Sequence, residues 1–265
     1  MVVPREHGAW GMLLVPLMTG AVVAAGPGFN FIGLALFCMA ALALFWMRTP
    51  VEAWLGTSAI RAQTPEERVI VTRVSLGLLV LAVAALATLF STGLSRSLLI
   101  IGSVAAAAFG AQAFVKSLGR SGRMPAQVIG AIGLTSTAAG AYAVAAGRLG
   151  RTALVLWLLN WLFAWNQVHF VQLRIHGSRL ASITEKLRKG YAFFAAQVAL
   201  LLAAVSLSHF GMAPRFLVLA FVPALVRGYL WFLRGAEALD VRKLGVAELA
   251  QALLFGTLLC IVFLV

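Results

Sequence analysis

Nine apolar runs, each about long enough to cross a bilayer as a helix, limit what this chain can fold into. They cover approximately residues 9–26, 29–47, 74–92, 97–115, 127–146, 152–171, 191–209, 214–233 and 247–265. A hydrocarbon core about 30 Å thick needs about 20 apolar residues in a helix. Lipid offers the backbone no hydrogen-bond partner, and a helix satisfies its own backbone internally. The runs are continuously apolar, whereas strands of a membrane barrel would alternate over about ten residues. The expected fold class is all-α: a polytopic membrane bundle of nine transmembrane helices, with 1–265 forming a single transmembrane helical domain. Only 11% of the residues are charged, against about 25% in an ordinary soluble domain. Water is therefore not the main solvent. Gly26-Pro27-Gly28, Gly119, Gly122, Pro125, Gly147, Gly150 and Gly211 mark the turns.

The net charge of +13 does not indicate a nucleic-acid binder, because the basic residues punctuate apolar runs instead of covering a soluble face. Arg5, Arg48, Arg61, Arg68, Arg73, Lys116, Arg120, Arg123, Arg174, Arg179, Lys186, Arg188, Lys189, Arg227, Arg234, Arg242 and Lys243 fall on one side. Only Arg96, Arg148, Arg151 and Arg215 fall on the other. Short basic loops stay in the cytoplasm. The N-terminus is thus expected inside and the C-terminus, nine crossings later, outside. All eight acids also lie on the cytoplasmic side: Glu6, Glu52, Glu66, Glu67, Glu185, Glu237, Asp240 and Glu248. Polar chemistry is concentrated on that face.

Val23-Ala24-Ala25 resembles a signal-peptidase site, but the stretch is long for a signal peptide and Pro16 and Trp10 fit one poorly. A retained first span is expected. Cys38 and Cys260 lie within apolar runs and read as small apolar residues. There is no Walker-type phosphate loop, and no cofactor is implied.

Candidate site residues follow from polarity next to the spans. Glu6 and His7 precede the first span, where a histidine can move a proton. Trp10 suits the headgroup level. Arg48 and Glu52 are one helical turn apart if the helix survives Pro50, and Arg48 offers a planar fork for phosphate or carboxylate. Span six is the most polar, with Asn160, Asn166, Gln167, His169 and Gln172, then Arg174 and His176. Polar residues at this depth face the bundle or a wet cavity. Asn166, His169, Leu173 and His176 share a stripe. His169 and His176 are about 10.5 Å apart along the axis, too far to chelate one metal. Lys116, Arg120 and Arg123 form one basic cluster, and Lys186, Arg188 and Lys189 another. Each suits anionic lipid headgroups or an anionic ligand.

Glu6-His7-Gly8-Ala9-Trp10, followed by Leu14-Val15-Pro16, resembles the YwiC-like family of bacterial membrane proteins. That likeness implies the bacterial cytoplasmic (inner) membrane, and it carries no settled activity. A more distant resemblance is to the UbiA-type prenyltransferases, which also have nine helices and cytoplasmic loops over a central cavity. It rests on Phe114-Val115-Lys116 through Pro125-Ala126-Gln127 and Gly130, and on Val241-Arg242-Lys243-Leu244-Gly245 with Glu248. Those enzymes hold magnesium on aspartate-rich motifs. Here the corresponding regions read Arg48-Thr49-Pro50-Val51-Glu52 and Asn166-Gln167-Val168-His169-Phe170-Val171-Gln172-Leu173-Arg174. They lack the oxygen ligands a hard divalent ion needs, so the usual magnesium-dependent transfer is not expected.

The expected function is a UbiA-like membrane scaffold with a cytoplasm-facing polar cavity for an amphipathic ligand, such as an isoprenoid or other anionic-headed lipid. Arg48, Glu52, Lys116, Arg120, Asn166, Gln172 and Arg174 would bind it, and Glu6, His7 or His169 would move a proton if chemistry follows. Membrane lipid is the expected partner, with no nucleic acid. The alternatives are a small-molecule transporter, or an assembly partner with no ligand.

Overall fold

The structure is a computed structural model that describes residues 7–54, 63–119, 122–178, 180, 182–236 and 239–265. It is all-helical among those residues: α1 His7–Val23, α2 Phe31–Trp54, α3 Pro65–Leu89, α4 Ser95–Ser117, α5 Arg123–Thr135, α6 Thr137–Ala145, α7 Arg151–Gly177, α8 Ile183–His209, α9 Leu217–Leu233 and α10 Val241–Leu264. α3 turns into α4 through Phe90–Leu94, where Gly93 takes the left-handed φ of 84°. Seven helical segments are long and apolar enough to cross a membrane, and Gly8–Val23 and Leu217–Leu233 are shorter apolar helices. The chain is a multi-pass integral membrane protein with a polytopic helix bundle.

Span five is interrupted. Thr135, Ser136 and Thr137 each turn their hydroxyl back onto a carbonyl of the preceding turn, at 2.7–2.8 Å. Such back-bonding bends helices, and α5 passes into α6 at Ser136. The glycines of this span receive neighbours. Gly130 lies under Gln112, Gly133 against Ala105 and Ala108, and Gly140 under the Phe37 ring.

The centre is built from α1, α6, α7, α9 and α10. Val15, Ala138, Leu156, Leu159, Phe163, Phe221, Phe255 and Leu259 form its main core. The Phe163 and Phe255 rings stack at 4.0 Å. Lipid supplies no hydrophobic drive between helices, so close approach of small residues must do this work. Gly20 accordingly lies against the Ala138 backbone, and Gly256 receives Val15. A Cβ at Gly20 would collide with the Ala138 carbonyl, which is backbone and cannot rotate away. Gly20→Ala should therefore cost about 1–3 kcal/mol or more. Gly77→Ala on α3, with open space around it, should change the thermal midpoint little. Equal midpoints would contradict this packing.

Helices outrun the expected spans on the basic side. α2 continues through Pro50 to Trp54, α7 runs to Gly177, and α3, α8 and α10 start at Pro65, Ile183 and Val241. Local capping explains two of these starts. Thr64 and Glu67 form a reciprocal capping box before Pro65. Asp240, the sole aspartate, accepts from the backbone of Arg242 and Lys243 at the start of α10. Charges expected in loops thus ride on helical turns, which gives them fixed positions.

Candidate functional site

One corner of the basic face gathers Arg48, Glu52 and Lys116. Because α2 survives Pro50, Arg48 Nε donates to Glu52 Oε1 at 3.0 Å. Lys116 Nζ, from the last turn of α4, stands 3.5 Å from the same oxygen. The corner joins two helices far apart in sequence. The side chains are 20%, 22% and 42% exposed for Arg48, Glu52 and Lys116. Their mutual attraction is therefore worth about 1 kcal/mol at most. Among the described residues, the Glu52 carboxylate thus stands between the Arg48 and Lys116 cations.

A second feature lies between α5 and α7. Trp157, Trp161, Trp165 and His169 repeat every four residues along α7. The Trp157 indole donates to Ile132 O at 3.0 Å, and Trp161 donates to Val128 O at 3.3 Å. Trp165 stacks on Trp161, and the His169 ring lies 5.2 Å from that of Trp165. At the level of Trp165 and His169 there is a groove of about 280 Å³, lined also by Met124, Pro125, Val128 and Ile129. This volume is close to the lower end of small-molecule sites, about 300 Å³. Past it, Gln172 Nε2 donates to Gln127 Oε1 at 3.3 Å.

A third group is a polar file inside the bundle. Asn160, Gln167 and Arg174 are spaced by seven, so they share one face of α7. Gln167 Nε2 donates to the Glu248 carbonyl at 2.7 Å. The Glu248 carboxylate is bonded to the Arg227 guanidinium and also feels Arg174. The Arg227 guanidinium lies 4.0 Å from the Phe170 ring centroid. Deeper, Asn160 Nδ2 donates to Thr19 Oγ1 of α1 at 3.1 Å. Asn166 Oδ1, Glu248 Oε2 and both amide atoms of Gln197 are buried without a hydrogen bond among the described residues.

The expected site residues therefore divide. Arg48, Glu52 and Lys116 meet, His169 lines the groove, Gln172 pairs across α5 and α7, and Arg174 joins the polar file. Asn166 is buried at 3% exposure, so the stripe it was expected to share with His169 and His176 splits, and His176 is exposed at the helix end. Glu6 and Arg120 lie outside the described residues. His7 opens α1. Gly11 lies against Ala252 and Val15 against Gly256, so the same register sets the backbone of His7 level with Glu248. Lys186 is a correction to the expected headgroup cluster. It is 1% exposed, and its ammonium donates to the carbonyls of Trp231, Arg234 and Gly235. Sequence reading also passed over Arg227 and Glu248 as a pair. Their signal was available, because an ionisable residue within an apolar run marks a functional or structural site by default.

No curated protein matches the chain. The family model described as YwiC-like protein matches residues 3–142, which runs from the opening motif into α6 and includes Arg48, Glu52 and Lys116. The match covers more than half of the chain, and the protein belongs to the YwiC-like family.

Proposed function

We propose that this protein binds an amphipathic ligand at its basic face, which we take as cytoplasmic from the placement of the Lys and Arg residues. The anionic head sits on Arg48 and Lys116, and the apolar part lies in the groove between α5 and α7. The observation that carries the reading is that groove: an apolar recess between α5 and α7, lined by Met124, Pro125, Val128, Ile129, Trp165 and His169. Gly122 lies against the Val115 carbonyl, so the start of α5, with Met124 and Pro125 of the groove wall, stands beside the end of α4 that carries Lys116. Charge-assisted bonds from Arg48 and Lys116 take the place a metal would have. His169 is the titratable side chain among the residues that line the groove.

Purification with native lipids followed by mass spectrometry tests this. The wild type should retain one amphipathic, anionic species, and the double substitution Arg48→Ala, Lys116→Ala should reduce its retention about tenfold or more, equivalent to about 1.4 kcal/mol. Val128→Trp, which fills the groove, should abolish retention while leaving the protein folded. Bulk phospholipid recovered in equal amounts from all three proteins would refute the proposal.

A further inference from the structure

α1 carries Pro16 inside its helical run. Proline has no N–H, so the Met12 carbonyl one turn earlier loses its usual helical donor. In a membrane that loss has to be made good by a neighbouring group or an ordered water. Met12 and Pro16 both line a small cavity of about 10 Å³ where α1 meets α5, α7 and α10. Its polar wall is Thr135, Asn160 and Gln167.

Most donors of that wall are already committed. Thr135 Oγ1 donates to Ala131 O at 2.7 Å. Asn160 Nδ2 donates to Thr19 Oγ1 and to Leu156 O, at 3.1 and 2.9 Å. Gln167 Nε2 donates to Glu248 O at 2.7 Å. What the wall has left to offer is mainly oxygen lone pairs, with the second N–H of Gln167. A water needs roughly 10–15 Å³ of this kind of space and two to four polar partners. We infer that this cavity is a binding site for one water molecule, which donates to Met12 O and to the Asn160 amide oxygen. It joins the proline break of α1 to α7, at the inner end of the polar file.

A monovalent cation would also seek oxygen lone pairs, but the oxygens here are neutral. The carboxylate further along the file, Glu248, is already bonded to the Arg227 guanidinium. A cation would be desolvated into this site against neutral oxygens alone. Water meets the same oxygens at far lower cost.

A density map at a resolution that shows buried waters is the direct test. The expected result is a peak in the cavity within hydrogen-bond distance of Met12 O and Asn160. A cavity without density, in a map that resolves other buried waters, would overturn the site. Two substitutions on α1 give an independent reading. A Cβ at Gly11 would meet Leu249 and Ala252 at 3.5 and 3.8 Å, ordinary contact, and would reduce the cavity. A Cβ at Gly8 would meet nothing within 4 Å. Both changes gain helix propensity, so Gly8→Ala isolates that gain. If water is held, Gly11→Ala displaces it and should melt about 2–4 °C below Gly8→Ala. If Gly11→Ala melts at or above Gly8→Ala, the cavity is a dry packing defect and the inference falls. Melting in sodium chloride and in choline chloride should coincide; a sodium-specific rise would assign the site to a cation instead.

Discussion

Replacing Lys186 with methionine should lower the thermal midpoint by about 6–12 °C. Methionine keeps length and apolar volume and removes only the ammonium. The carbonyls of Trp231, Arg234 and Gly235 then lose a charged donor at the end of α9. A hydrogen bond from a charged group contributes about 1.5–3 kcal/mol, and a buried acceptor left unmade costs about 1–3 kcal/mol. A total of about 3 kcal/mol converts to that shift at about 2–4 °C per kcal/mol for a chain of this size. The Trp231 ring, whose centroid is 5.0 Å from the ammonium, adds a cation–π contribution that is lost as well. Lys189, one turn along α8 and exposed, is the control. Lys189→Met should change stability by no more than about 0.5 kcal/mol. Equal midpoints for the two variants would show that Lys186 does not hold the end of α9.

The second large effect concerns Arg227 and Glu248. Their side chains are 15% and 9% exposed and join α9 to α10. Removing one partner of a buried pair leaves an uncompensated charge and costs about 3–5 kcal/mol. Glu248→Met should be the worse single change, because it leaves the Arg227 guanidinium buried without its carboxylate. Arg227→Met still leaves Arg174 near the carboxylate. The double variant Arg227→Met, Glu248→Met should be less destabilised than Glu248→Met alone, since both desolvation costs disappear together. Thermal unfolding of the two single variants and the double variant checks this. Additive losses in the double variant would mean that the pair is not coupled.

The nine apolar segments could be read directly from the chain because lipid demands continuous apolar runs. Helix ends could not be read in the same way. Reading Pro50 and Arg48 as the edge of span two hid the last turn of α2, although the Arg48–Glu52 spacing itself was apparent. Asp240 reads in the sequence as one more acid of the cytoplasmic side, yet it is the N-cap of α10. Lys186 reads as one of a basic cluster because its carbonyl partners come from the end of another helix, 45 residues or more away in sequence. Asn160, Gln167 and Arg174 had a visible spacing of seven. What they face depends on how α1, α9 and α10 pack, and a single chain does not print that. The tryptophan ladder follows the same logic. The four-residue repeat is plain in the sequence, while its acceptors are backbone carbonyls of α5, which carry no side-chain signature.

Site-specific photocrosslinking tests the central claim most directly. A photoreactive residue at Ile129 lines the groove, and one at Leu219 is exposed on α9 and serves as the control. After irradiation in native membranes, the expected result at Ile129 is one dominant adduct of an anionic amphipathic molecule, reduced by Arg48→Ala with Lys116→Ala, against mixed phospholipid at Leu219. The same mixed phospholipid at both positions, unaffected by those substitutions, would contradict a ligand site in the groove.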